Sequence, residues 1–206
     1  FLDEFPEFSR AALETLRQPL EEREVTVSRV EASVTYPANF QLVAAMNPCP
    51  CGHFPDRSRC RCTDGQITRY LQKVSGPMLD RIDICVEASP ITYGDIRSSG
   101  NNESSREIRA RVEQARKIQG ERFAGENIRC NGEMSGRHIR KFCWLGREEE
   151  KFMEEIFKKL ALSARMHDRI LKVARTTADL AEEKKIRLAD LCEAVSYVKS
   201  RDKFWG

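Results

Sequence analysis

Two short apolar runs that end in polar residues constrain this chain of 206 residues more than any other feature. Phe1-Leu2 runs into the adjacent carboxylates Asp3-Glu4, and Gln41-Leu42-Val43-Ala44-Ala45-Met46 ends in Asn47. The second run is near-continuously apolar, which suits a fully buried central strand of a parallel sheet. A strand that finishes in Asp-Glu can hold Mg²⁺ through the first carboxylate and polarise an attacking water with the second. That is the division of labour phosphoryl transfer needs. Taken alone, the same tetrapeptide also describes an ordinary surface pair after a strand.

Between and beyond these runs the periodicity changes character. Ala12, Leu13, Leu16 and Leu20 recur at helical spacing over 9–22, with Ser9 placed as a cap. The β-rich runs Val25–Val30 and Ser33–Tyr36 flank Glu31-Ala32 as a hairpin that Pro37 ends. Ile67, Tyr70, Leu71 and Val74 mark a helix that Gly76-Pro77 breaks, and Ile82, Ile84 and Val86 alternate as a strand. Residues 91–105, with Gly94, Ser98, Ser99, Gly100, Asn101 and Asn102, have the polar, flexible composition of a linker.

Everything after the linker reads as helix. Ser104 and Glu107 make a capping box ahead of Ile108, Val112, Ala115 and Ile118. A short helix is expected over 137–145, and another is carried by Phe152, Ile156 and Leu160. Met166, Ile170, Val173, Thr177 and Leu180 trace one stripe, and Leu188, Leu191, Val195 and Val198 trace the last. The expected architecture is therefore an α/β part over 1–90, a linker over 91–105 and an all-α part over 106–206.

The charge balance and the cysteines narrow the function classes. With 35 basic against 32 acidic side chains and a net charge of +3, the chain lacks the excess of a non-specific nucleic-acid binder, so any polynucleotide contact is local. No apolar run nears the roughly 18 residues of a membrane span, and no basic-then-apolar opening suggests secretion. The expected location is cytoplasmic. Of the eight cysteines, Cys85, Cys130, Cys143 and Cys192 lie singly in apolar patterns and read as core or partly buried thiols. The other four make Cys49-Pro50-Cys51, a gap of eight residues, and Cys60-Arg61-Cys62. Four thiolates from one loop can enclose a tetrahedral Zn²⁺, with His53 as a spare ligand; free thiols or a redox pair are the competing readings.

The order of these pieces resembles an AAA+ ATPase of the magnesium-chelatase and MCM branch. Phe1-Leu2-Asp3-Glu4-Phe5-Pro6-Glu7-Phe8, Ala45-Met46-Asn47-Pro48-Cys49-Pro50-Cys51-Gly52 and Gly76-Pro77-Met78-Leu79-Asp80-Arg81-Ile82-Asp83 are similar to its chelatase-like ComM (YifB) competence-protein subfamily. The resemblance implies the C-terminal half of a P-loop NTPase core, a parallel sheet with a β-hairpin insertion, followed by a helical lid. It further implies ATP and Mg²⁺ as cofactors, a hexameric ring, and DNA in the pore.

Residue by residue, the resemblance implies that Asp3 holds Mg²⁺ through a water and that Glu4 activates the hydrolytic water. Asn47 would be the polar sensor, against a bland role as a turn cap before Pro48. Arg81 would be an arginine finger supplied to a neighbouring subunit, against a local Asp80-Arg81 ion pair. Arg165 would be the second sensor, with Arg169 one turn on as its competitor. The hairpin would face the pore, where Arg29 meets a phosphate backbone, or it would pack on a neighbour. The phosphate-cradling G-x-x-x-x-G-K-[ST] loop does not occur here and the chain begins inside a strand pattern, so these residues are expected to be a fragment with negligible ATP turnover alone. Two rival readings are a magnesium-chelatase motor that drives metal into a porphyrin and a non-catalytic zinc-binding module.

Overall fold

The computed structural model describes residues 1–29, 32–89, 91, 93–97 and 103–205. They divide into two compact units, Phe1–Ile84 with Arg201–Gly206, and Cys85–Ser200. In the first unit, the opening segment lies parallel to residues 43–45. Leu2 N–H donates to Val43 O at 2.9 Å, Ala45 N–H to Leu2 O at 2.9 Å, and Phe5 N–H to Ala45 O at 3.0 Å. The pairing is an isolated bridge between Leu2 and Ala44, so the expected parallel sheet is not found among the described residues.

That single bridge corrects two expectations about burial. The run 41–46 is half-buried at best, with Val43 49% exposed, because one strand neighbour and one packed face cover only part of it. Ile82, Ile84 and Val86 form no strand, and Ile84 and Val86 are exposed. An alternating pattern makes a strand only where another backbone offers a ladder.

Ser9 Oγ accepts the Ala12 N–H at 3.2 Å and opens α1 (Arg10–Thr15), which α2 (Arg17–Glu22) follows. The expected continuous helix divides at Leu16 because Pro19 has no N–H for the Thr15 carbonyl. The hairpin is present: β1 (Glu24–Ser28) pairs antiparallel with β2 (Ser33–Pro37) from Glu24↔Pro37 to Ser28↔Ser33. Its expected turn positions Val30 and Glu31 lie outside the described residues. Nearly all its side chains are exposed, and Thr26–Thr35 and Ser28–Ser33 hydroxyl bonds join the strands at 3.0 and 3.1 Å.

Thr63 and Gln66 cap α3 (Asp64–Leu71) reciprocally. Ser75 then caps the single turn α4 (Gly76–Leu79), so Gly76-Pro77, expected as a break, starts a helix; proline suits a first turn whose N–H groups have no partner. Phe5, Leu13, Val74, Met78 and Leu79 form one core, against which Leu2, Leu42 and Met46 pack. Cys49, Ile67, Tyr70 and Leu71 form another, which Met46 also touches.

The second unit is helical. A short α5 (Tyr93–Arg97) falls within the span expected as linker, and Pro90, Thr92 and residues 98–102 lie outside the described residues. The Ser104–Glu107 capping box opens α6 (Ser105–Arg122), followed by α7 (Gly136–Phe142), α8 (Arg147–Lys159), α9 (Ala164–Leu180) and α10 (Leu188–Trp205). The buried face of α9 runs through Met166, Ile170, Ala174 and Ala178, rotated from the expected Val173, Thr177 and Leu180. Cys192 is exposed, against expectation, because it stands one position off the Leu191–Val195–Val198 stripe. Among the described residues no helix is long and apolar enough to cross a membrane.

A charged knot sits inside this unit. Asp179, fully buried, accepts both guanidinium nitrogens of Arg122, the Arg175 Nε at 3.1 Å and the Asn131 amide at 2.8 Å. A buried carboxylate is tolerated only with such partners, and removing it strands the guanidinium of Arg175, which is itself buried. Asp179→Ala is expected to destabilise the second unit by about 3–5 kcal/mol in urea unfolding; a loss under about 1 kcal/mol would contradict this account of the knot.

Candidate functional site

The bridge between Leu2 and Ala44 sets where the polar strand ends lie. Because the two segments run parallel and their amides interlock from Leu2 to Phe5, Asp3-Glu4 and Asn47 leave the pairing at the same end. All three are exposed, while Phe5 beneath them is buried. Asp3 Oδ1 accepts the Glu4 N–H at 2.9 Å, and Glu4 sits at φ 51°, ψ 44° before a short 3₁₀ turn, Phe5–Glu7. A left-handed Glu is strained and persists only where the surroundings over-determine it. Here the Phe5 N–H bond to Ala45 and the buried Phe5 and Pro6 do so.

The cysteine loop follows Asn47 directly. Gly52, at φ 78°, lets its N–H return to Cys49 O at 3.0 Å, and the Asn47 side chain lies beside it: a Cβ on Gly52 would stand 3.7 Å from Asn47 Cγ. The four sulfurs of Cys49, Cys51, Cys60 and Cys62 all lie within 4.8 Å of one another. Three pairs measure 3.4 Å (Cys49–Cys51), 3.6 Å (Cys51–Cys60) and 3.8 Å (Cys49–Cys60). Sulfurs bound at about 2.3 Å around a tetrahedral Zn²⁺ stand about 3.8 Å apart, so the set fits that ion. His53 stays outside the cluster, and the thiols are free.

Backbone amides prepare this cluster for anionic sulfur. The Phe54 N–H donates to Cys49 Sγ at 3.4 Å. Backbone N–H bonds, from His53 first and also from Arg61, hold the Cys51 thiol down to about 6 against the opposing effect of burial, whereas burial pushes Cys62 up to about 11.

Tyr70 on α3 joins the two halves of the site. It is buried, and its phenol receives the Asn47 backbone N–H while feeling the charges of Glu7, Cys49 and Glu4. Lys73 lies 5.5 Å from the Tyr70 ring centroid and pairs with Glu7 at 3.0 Å. Sequence reasoning places Tyr70 only on the apolar face of a helix; a core tyrosine carries no periodic signal for what its hydroxyl touches.

The cationic candidates are placed as follows. Arg81 pairs with Glu21 and donates to Pro77 O at 2.6 Å and Arg17 O at 3.3 Å, while Asp80 pairs with Arg201 at 3.2 Å. The local Asp80-Arg81 pair is thus replaced by two longer-range ones. In the second unit, Arg165 is exposed in the first turn of α9, and Arg169 is half-buried with its guanidinium 3.8 Å from Met166 Sδ. Arg29, at the end of β1, exchanges backbone bonds with Ala32 at 2.8 and 3.3 Å, and its side chain is exposed.

A chain whose acidic strand end, adjacent amide and capped helical unit follow in this order belongs to the magnesium-chelatase family: residues 1–96 match the family described as magnesium chelatase, subunit ChlI, and residues 102–198 match its C-terminal counterpart. It is 44% identical over 198 residues to the competence protein ComM of Haemophilus influenzae, covering 96% of this chain and 38% of that protein. It is also 44% identical over 199 residues to the uncharacterized protein YifB of Escherichia coli, again covering 96% of this chain and 38% of the relative. The chain thus spans under two fifths of the length of these relatives.

The contrast between the thiols is directly measurable. In metal-free protein, alkylation of the exposed Cys51 by iodoacetamide should rise through a midpoint near pH 6, since a depressed thiol is already thiolate above that value. Alkylation of Cys51 that begins only above about pH 8, like an ordinary thiol, would contradict the backbone stabilisation.

Proposed function

We propose that this chain supplies the acidic edge, sensor amide, arginine finger and helical lid of a ring-forming ATPase motor of the ComM type that acts on DNA. The observation that carries the reading is the parallel register of Leu2 with residues 43–45, which sends two carboxylates and an amide out of one strand pair. The similarity to a competence protein supports the DNA substrate, and membership of the magnesium-chelatase family supports ATP and Mg²⁺.

In this reading Asp3 holds Mg²⁺ through a coordinated water, Glu4 takes a proton from the attacking water, and Asn47 orients that water against the γ-phosphate. Arg81 reaches the site of an adjacent subunit in a hexamer, exchanging its bond to Glu21 for phosphoryl oxygens; hydrolysis then depends on assembly. Arg165 reports the nucleotide state to the lid. The exposed hairpin projects toward the pore, with Arg29 on the DNA backbone. The cysteine loop is a structural zinc centre, because four sulfurs at tetrahedral spacing with backbone N–H support suit Zn²⁺ and need no other ligand.

A second reading, a motor that drives metal into a porphyrin, is supported by the family description itself. DNA separates the two. ATP hydrolysis by the full-length protein should rise on adding DNA; hydrolysis indifferent to DNA favours the metal-insertion motor. Glu4→Gln in the full-length protein should lower kcat by about 100-fold or more while leaving ATP binding intact, and unchanged hydrolysis would remove Glu4 from its role. Metal analysis of reduced protein should return one zinc per chain, lost in Cys49→Ser; a metal-free wild type would discard the centre.

A further inference from the structure

Tyr70 carries an unexplained hydroxyl. Its ring fills the core formed with Cys49, Ile67 and Leu71, a duty phenylalanine would perform as well. Burying a hydroxyl is costly unless it is bonded, and the partner of this one is the backbone N–H of Asn47.

The surroundings of that bond are asymmetric in a useful way. On one side, Asn47 ends the segment whose residues 43–45 pair with Leu2, and the Glu4 and Glu7 charges face the phenol. On the other, Cys49 follows after Pro48 alone, is wholly buried, and packs in the same core as Tyr70. Gly52 lies against the Asn47 side chain from within the cysteine loop, and Met46 packs into both cores of the unit. Asn47 is therefore held between the acidic edge and the cysteine cluster. Fixing Cys49 in a metal centre fixes the residue two positions before it, and the Tyr70 hydroxyl is the one side-chain bond that transmits the constraint to the Asn47 backbone.

We propose that Tyr70 is a positioning residue that couples metal occupancy of the cysteine loop to the placement of Asn47 beside Glu4. The metal would thus act as a licence for hydrolysis as well as a staple for the loop. This rests on the reading of Asn47 as the amide that orients the attacking water. Tyr70 touches no substrate, so its effect is on the chemical step and not on nucleotide affinity.

The test uses Tyr70→Phe in the full-length protein, which removes only the hydroxyl. Zinc content should stay that of the wild type. Hydrogen exchange at the amides of residues 44–47 should slow on zinc loading in the wild type and respond much less in Tyr70→Phe. With zinc bound, the variant should lose about tenfold in kcat for ATP, the worth of one hydrogen bond, while KM stays unchanged. Equal zinc-dependent protection of residues 44–47 in both proteins would overturn the coupling, as would a variant with wild-type kcat. A wild type that hydrolyses no ATP would defeat the ATPase reading instead, and the exchange measurement would still decide the coupling.

Discussion

The acidic edge depends on three backbone hydrogen bonds between Leu2, Phe5 and the segment 43–45. Parallel pairing is what makes both polar ends emerge together; an antiparallel arrangement would send Asn47 to the opposite end from Asp3 and Glu4. Register matters equally, since a slip of one residue reverses every side chain. The register is held from below by Leu2, Leu42 and Met46, which pack onto the core of Phe5, Leu13, Val74, Met78 and Leu79. That core also offsets the strain of the left-handed Glu4, because Phe5 cannot leave its pocket without losing both its burial and its bond to Ala45.

From this edge the structure builds outward by short covalent steps. Asn47 leads into the cysteine loop, the loop leads through the Thr63 cap into α3, and α3 returns Tyr70 to Asn47. The circuit is closed by one buried core and by a potential metal centre whose ligands come from both ends of the loop. The second unit is stabilised by different means, an apolar helical core with a buried carboxylate shared among Arg122, Arg175 and Asn131. Family membership accounts for finding both units in one chain, since the two halves match two consecutive family regions.

Much of this was legible in the residues, for reasons that differ from place to place. Caps are local chemistry, so Ser9, Ser104 and Glu107 announce helix starts that the structure bears out. The hairpin is equally local, and four cysteines in one loop can only come close together. Long-range effects were not legible. The split at Leu16 depends on one missing N–H at Pro19, and the exposure of Val43, Ile84 and Val86 depends on how many neighbours their backbone finds. Arg81 with Glu21 and Tyr70 with Asn47 are pairings between distant segments that no spacing rule encodes. Their discovery required the packed core.

The account's central claim is that Asp3, Glu4 and Asn47 surround one triphosphate. A structure of the full-length protein with Mg²⁺ and a non-hydrolysable ATP analogue tests it most directly. The account predicts the Glu4 carboxylate and the Asn47 side-chain amide both within hydrogen-bond reach, about 3 Å, of a single water facing the γ-phosphate. A nucleotide bound with its γ-phosphate remote from this strand end, or with Asn47 turned away from that water, would contradict it.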